Sequence, residues 1–149
     1  MLLEKVTVEP PRLEKSMQTE HEIEIRVRYQ ETDGQGRVHH ANYFNYFEMG
    51  RTELMRAAGY SYRELEESGL MLVIAEIHCR YFAPAAYDDV LRVRTKTVSA
   101  RGARIEHHYH VYRGETLLVE GRSVLACINR EGQIRRLPPF LVLPESPGA

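Results

Sequence analysis

Residues 41–58 read Ala41-Asn42-Tyr43-Phe44-Asn45-Tyr46-Phe47-Glu48-Met49-Gly50-Arg51-Thr52-Glu53-Leu54-Met55-Arg56-Ala57-Ala58. Phe44, Phe47, Leu54 and Ala58 fall on one side at helical spacing, with Tyr43, Gly50 and Ala57 alongside. Arg51, Thr52 and Arg56 lie off that stripe, and Gly59 is a natural terminator. The spacing therefore predicts a helix over 41–58. Glycine at position 50, in mid-helix, costs about 1 kcal/mol relative to alanine. The expected benefit is close approach of a strand or of a second subunit. A short second helix is expected over 61–67, capped by Ser61 with Glu64 three residues on.

The rest of the chain alternates. Ile23, Ile25, Val27 and Tyr29 oppose Glu22, Glu24, Arg26 and Arg28, the pattern of a half-buried strand. Further strands are expected over Met71–Phe82, Val90–Val98, Ala103–Tyr112 and Thr116–Ile128. Leu91, Val93, Thr95 and Thr97 alternate with Arg92, Arg94 and Lys96. Turns are expected at Arg113-Gly114-Glu115 and Asn129-Arg130-Glu131-Gly132. One helix between a first strand and an antiparallel meander is an α+β arrangement. The apolar face of the sheet needs a cover, and helix 41–58 is the only long element available. The sheet is expected to curl around it. Residues 1–21, with Pro10-Pro11, read as an arm, 22–137 as the domain, and 138–149, opened by Pro138-Pro139, as a tail.

Bulk properties narrow the function. A length of 149 residues favours one domain with a real core. The 20 Lys and Arg against 21 Asp and Glu give a net charge of -1, with no global nucleic-acid footprint. No apolar run reaches membrane-spanning length. The N-terminus carries Glu4, Lys5, Glu14 and Lys15 instead of the apolar core of a signal peptide. A cytoplasmic protein without a membrane or nucleic-acid partner is expected. Cys79 and Cys127 form no metal-ligand spacing and are expected to be reduced core thiols.

The chemistry concentrates between the first strand and the long helix, in Tyr29-Gln30-Glu31-Thr32-Asp33-Gly34-Gln35-Gly36-Arg37-Val38-His39-His40-Ala41-Asn42-Tyr43. The first turn of a helix leaves backbone N–H groups unpaired at the positive end of its dipole. A carboxylate beside such donors is suited to acyl transfer, as base or nucleophile next to an anion-stabilising pocket. Asp33 is the leading catalytic candidate, although an aspartate before glycine ordinarily shapes an Asx turn. His39 and His40 are either a solvated pair or lining residues, and the N–H near His40 is the part suited to face a thioester oxygen. Glu48 and Arg51, at i,i+3, form either an ion pair or a site carboxylate with its neighbour. His107, His108 and His110 resemble a metal cluster, but on a strand His107 faces away from the other two and from Glu106. No metal or other cofactor is expected. Arg101 and Arg104 bracket Gly102 as either a solvated turn or a phosphate contact. No GxSxG elbow is present.

The run Tyr29-x-Glu31-Thr32-Asp33-x-x-Gly36-x-Val38-x-His40-x-x-Tyr43, with Glu48-x-x-Arg51, Tyr81-Phe82-Ala83-Pro84-Ala85 and Asp88-Asp89, resembles the 4-hydroxybenzoyl-CoA thioesterase-like family of hotdog-fold acyl-CoA thioesterases. The resemblance covers roughly His21 to Leu137. It implies a long helix wrapped by about five antiparallel strands. It also implies homodimers, often paired into homotetramers, with active sites between subunits and acyl-CoA as substrate. The aspartate matching Asp33 is the family's catalytic carboxylate, and the N–H matching His40 polarises the thioester carbonyl. Tyr43 and Glu48 would then lie on the substrate side, with Tyr43, Phe44 and Met71 lining an acyl pocket. Basic residues at the positions of Arg101 and Arg104 hold CoA phosphates in relatives, although Gly102 and Ala103 replace part of a larger basic cluster. A hotdog dehydratase or hydratase, pairing a histidine with a carboxylate, is the alternative enzyme. A non-catalytic acyl-CoA-binding protein is the alternative outside catalysis.

Overall fold

The computed structural model describes residues 18–144. Residues 1–17 of the expected arm and 145–149 of the expected tail lie outside the described residues. The elements are β1 (Glu20–Arg26), α1 (Asn42–Ala57), α2 (Tyr62–Glu67), β2 (Leu70–Tyr81), β3 (Val90–Arg101), β4 (Arg104–Arg113) and β5 (Thr116–Asn129), with 3-10 turns at Tyr29–Glu31 and Pro139–Leu141. The strands form one five-stranded antiparallel sheet in the order β1-β3-β4-β5-β2. The α+β arrangement expected from the pattern is the one observed.

Helix α1 lies against the sheet through two close approaches. Gly50 faces β3, where a Cβ would overlap Thr95 Oγ1 and press on Val93. The glycine expected to admit a strand or a subunit thus admits a strand. Phe47 stacks on Tyr109 of β4 with ring centroids 4.3 Å apart, and its ring occupies the space a side chain at Gly121 of β5 would need. Ser61 caps α2 as expected, its hydroxyl accepting from the Glu64 N–H at 3.1 Å.

The core divides in two. One cluster joins Ile25, Val27, Leu91, Val93, Tyr109 and Val111 to Tyr43, Tyr46 and Phe47 of α1. The other holds Ala100, Ile105, Leu125, Cys127 and Leu137, with Leu141 and Leu143 packed on it. The start of the expected tail is therefore part of the packing. The Leu137 N–H donates to Gly102 O at 2.7 Å and the Leu143 N–H to Ala100 O at 2.9 Å.

Two local expectations change. Tyr29, expected on the buried side of the first strand, is 78% exposed. Pairing ends at Val27, whose backbone exchanges hydrogen bonds with Asp88 and Asp89. The Arg28 N–H then donates to Glu31 Oε1 at 2.8 Å, and the chain tightens into a 3-10 turn. Strand β3 continues past Val98 to Arg101. A register shift between Thr97 and Ser99 lets Ala100 pair with Ile105, so the alternation read from sequence breaks while the ladder continues.

The two sheet edges differ. Along β1 the exposed residues Glu20, Glu22, Glu24 and Arg26 are charged, which discourages pairing. Along β2 the apolar Val73 and Ile74 are 38% and 43% exposed. Among the described residues no helix is long and apolar enough to cross a membrane.

Candidate active site

The loop before α1 is fixed from below by a buried carboxylate. Glu31 accepts from the Arg28 N–H, from the Arg28 guanidinium at 3.2 Å and from Tyr46 Oη at 3.1 Å. The His39 N–H donates to Glu31 O at 2.9 Å, and the Val38 N–H to Ala85 O at 2.9 Å. The segment carrying Asp33 therefore rests on α1 and on the chain after β2.

Asp33 forms the Asx turn that its sequence suggests. Oδ1 accepts from the Gln35 N–H at 2.8 Å and the Arg37 N–H at 3.3 Å. The turn closes at Gly36, whose φ of 76° is strained for residues with a side chain. These bonds engage one carboxylate oxygen. Among the described residues Oδ2 has no protein partner, so the group is oriented and still has an oxygen to offer. Turn residue and candidate catalyst are compatible roles.

At the start of α1, the Asn42 N–H donates to His39 O at 2.9 Å and the Ala41 N–H to His39 Nδ1 at 3.1 Å. Among the described residues no acceptor pairs with the His40 N–H. The two histidine rings stack with centroids 4.2 Å apart and are exposed. Asp33, Arg37, His40, Tyr43, Tyr81 and Phe82 line one cavity of about 310 Å³. Asp33 and His40 thus line one chamber at the positive end of the helix dipole, where negative charge is favoured. Tyr43 is buried at its base, and that burial pushes its hydroxyl up to about 12. It is protonated at neutral pH.

The other sequence candidates lie elsewhere in the chain. Glu48 is about two turns into α1, outside this cavity, and its exposed carboxylate is 3.8 Å from Arg51. Arg101 and Arg104 face each other across the β3–β4 turn. That turn is at the far end of β3, whose 12 residues span roughly 35 Å. His108 is engaged by Glu106 at 3.0 Å, while His107 points to the opposite, buried face, as alternation predicted. Both cysteines are free, and burial pushes both thiols up, away from the reactive thiolate.

Arg37, Tyr81 and Phe82 are among the cavity residues to which sequence reasoning assigned no site role, Tyr81 and Phe82 entering only as part of the family motif. Tyr81 Oη donates to His40 O at 2.7 Å. The available signal was the end of strand 71–82 at Ala83-Pro84, which brings the strand end to the loop.

A family model for the thioesterase-like superfamily matches residues 27–143. The chain belongs to the thioesterase-like superfamily. An acyl-CoA thioester hydrolase, YbgC of Escherichia coli, is 33% identical over 120 residues, covering 79% of this chain and 90% of that one. The crystal structure of a protein described as a probable thioesterase from Bartonella henselae superposes with a TM-score of 0.76 at 35% identity, covering 80% and 99% of the two chains. The DHNA-CoA thioesterase of Staphylococcus aureus superposes with a TM-score of 0.77 at 27% identity, covering 79% and 80%. Family and hotdog fold agree with the resemblance read from the motif, and the protein is an enzyme of the thioesterase class. In this thioesterase the Asp33 loop, both helices and strands β2 to β5 fall inside the matched residues, while β1 precedes them.

Proposed function

We propose that this thioesterase hydrolyses acyl-CoA to a free acid and CoA, at the cavity shared by Asp33 and the His40 N–H. The observation that carries this reading is the pairing of an oriented carboxylate with an unpaired helix-start donor in one chamber. The thioester carbonyl oxygen faces the His40 N–H. Asp33 Oδ2 either attacks the carbonyl carbon or takes a proton from an attacking water. In the first route the C–S bond breaks to leave a mixed anhydride, which water then opens. In the second, the tetrahedral intermediate collapses directly to acid and thiolate. Either way the thiolate leaves as CoA and gains its proton from solvent.

The reading extends to assembly. Strand β2 exposes the apolar run Val73, Ile74 and Ala75, with Glu76, His78 and Arg80 beyond it, whereas every exposed residue of β1 is charged. Antiparallel pairing of two β2 edges makes a homodimer, and dimers pair further into a tetramer. Such pairing sets the far end of one subunit, with Glu48, Arg101 and Arg104, toward the Asp33 end of the other. Arg101 and Arg104 then meet the CoA phosphates across the interface. A monomer by light scattering at micromolar concentration contradicts this arrangement. The reading places the enzyme in the cytoplasm and uses neither metal nor cofactor.

A dehydratase would need a histidine ring poised with its carboxylate. Among the described residues neither the His39 nor the His40 ring bonds Asp33, which favours the thioesterase. The test is incubation with short, long and aromatic acyl-CoAs and titration of free thiol. Stoichiometric thiol with free acid is expected. Intact acyl-CoA after incubation contradicts the proposal and leaves a binding protein or a dehydratase.

A further inference from the structure

The core is interrupted beneath the second half of α1. Register places Thr97, His107 and Ser123 side by side across β3, β4 and β5. The next rung in one direction is Ala100, Ile105 and Leu125; in the other it is Thr95, Tyr109 and Gly121. Buried polar groups in such a row need partners, because desolvation is otherwise uncompensated. Tyr109 and Ser123 serve each other. Among the described residues Thr95 Oγ1, His107 Nδ1 and Arg51 Nη1 are buried without any hydrogen-bond partner.

Arg51 descends from α1 with its side chain 15% exposed. Its Nη2 is 3.8 Å from the outward carboxylate of Glu48, which leaves Nη1 inside. His107 is 7% exposed. Its burial and the nearby Arg51 charge hold its imidazole down to about 3, so it is neutral at pH 7. Arg51, His107 and Thr97 line a cavity of about 450 Å³, together with Glu48, Thr52, Tyr60 and Tyr62 and with apolar side chains including Leu54, Ile105, Leu125 and Phe140. It shares no lining residue with the Asp33 cavity.

The volume is within the range of small-molecule sites, which combine apolar walls with a few placed polar groups. The buried polar groups here are a neutral imidazole and a guanidinium that meets the Tyr109 hydroxyl but leaves Nη1 without a partner, while the Glu48 carboxylate at the same cavity is turned to solvent. A guanidinium fork matches a carboxylate. We infer that this cavity binds an amphipathic carboxylate, its head on Arg51 Nη1 and His107 Nδ1 and its apolar body against Leu54, Ile105 and Leu125. Two sources offer that chemistry: a free medium-chain acid, or the distal carboxylate of an ω-carboxyacyl thioester. The site itself does not use Asp33.

The test is calorimetry on the full chain with octanoate and 1-octanol. Octanoate should bind at least about tenfold more tightly than the alcohol, and Arg51→Met should erase the difference, because a charge-assisted hydrogen bond is lost. Equal affinity of the wild-type protein for the two probes overturns the inference, and this comparison stands even if the variant does not fold. Octanoate binding to a folded Arg51→Met variant with wild-type affinity overturns it as well. Turnover of suberyl-CoA against octanoyl-CoA separates the sources. A suberyl preference of about tenfold or more in kcat/KM, lost in Arg51→Met, assigns the head group to the substrate. Octanoate selectivity without that preference assigns it to a free acid. Calorimetry does not depend on turnover, so the site can stand if acyl-CoA hydrolysis does not.

Discussion

Tyr81 Oη donates to the His40 carbonyl oxygen at 2.7 Å, which fastens the last residue of β2 to the turn that opens α1. Its ring also meets Tyr43 edge to face, with centroids 5.6 Å apart. The bond holds the His40–Ala41 peptide, next to the His40 N–H that the proposed reaction sets against the thioester oxygen. Tyr81→Phe keeps the ring and removes the tie. A single hydrogen bond of this kind is worth about 0.5–1.5 kcal/mol, so kcat should fall about 2- to 10-fold. KM and the circular dichroism spectrum should change little. Steady-state thiol-release kinetics check this, and an unchanged kcat would mean that the N–H is positioned without Tyr81.

His107 gives the fold a pH signature. Its native pKa lies near 3, below the ordinary 6.5, so the unfolded chain binds a proton that the native state refuses. Its contribution is fully present above pH 6.5 and is lost as pH falls from there toward 3. Within that window stability should drop by up to about 1.4 kcal/mol per pH unit from this group. Urea unfolding of wild type and His107→Leu at several pH values measures the difference in slope. The variant should be flatter between pH 6 and 4, and parallel curves would remove His107 as the cause.

Much of this was legible in the sequence, because period and punctuation decide it. The apolar stripe of residues 41–58 and the alternation of Leu91, Val93, Thr95 and Thr97 gave the helix and a strand facing it. Asp33 stood out because it lies between strand end and helix start. What stayed hidden depends on contacts between distant residues. Tyr46 was not placed in the stripe, yet it is fully buried because its hydroxyl reaches Glu31. Tyr81 enters the site only through the sheet order that puts β2 beside the loop. The buried set of Arg51, Thr95 and His107 comes from two strands and a helix, and no local spacing encodes it.

Arg101 and Arg104 test the assembly as well as the substrate. If they hold CoA phosphates across an interface, replacing both with alanine should raise KM for acyl-CoA and leave kcat nearly unchanged, since such contacts are similar in ground and transition states. The effect should shrink at high salt, where exposed charges are already screened. An acyl-pantetheine substrate lacks the nucleotide and should be turned over as by wild type. An equal loss on both substrates would show damage to the fold or the acyl site instead.

In the proposed reaction Asp33 performs the chemistry on a thioester held by the His40 N–H. Asp33→Asn retains Oδ1 as an acceptor for the Gln35 and Arg37 N–H groups, so the Asx turn and the fold should persist. The most direct measurement is single-turnover thiol release from acyl-CoA by this variant, alongside its thermal unfolding midpoint. A loss of at least about 100-fold in rate with a nearly unchanged midpoint is expected. Thiol release at close to the wild-type rate would contradict the proposed reaction and move the chemistry to another group.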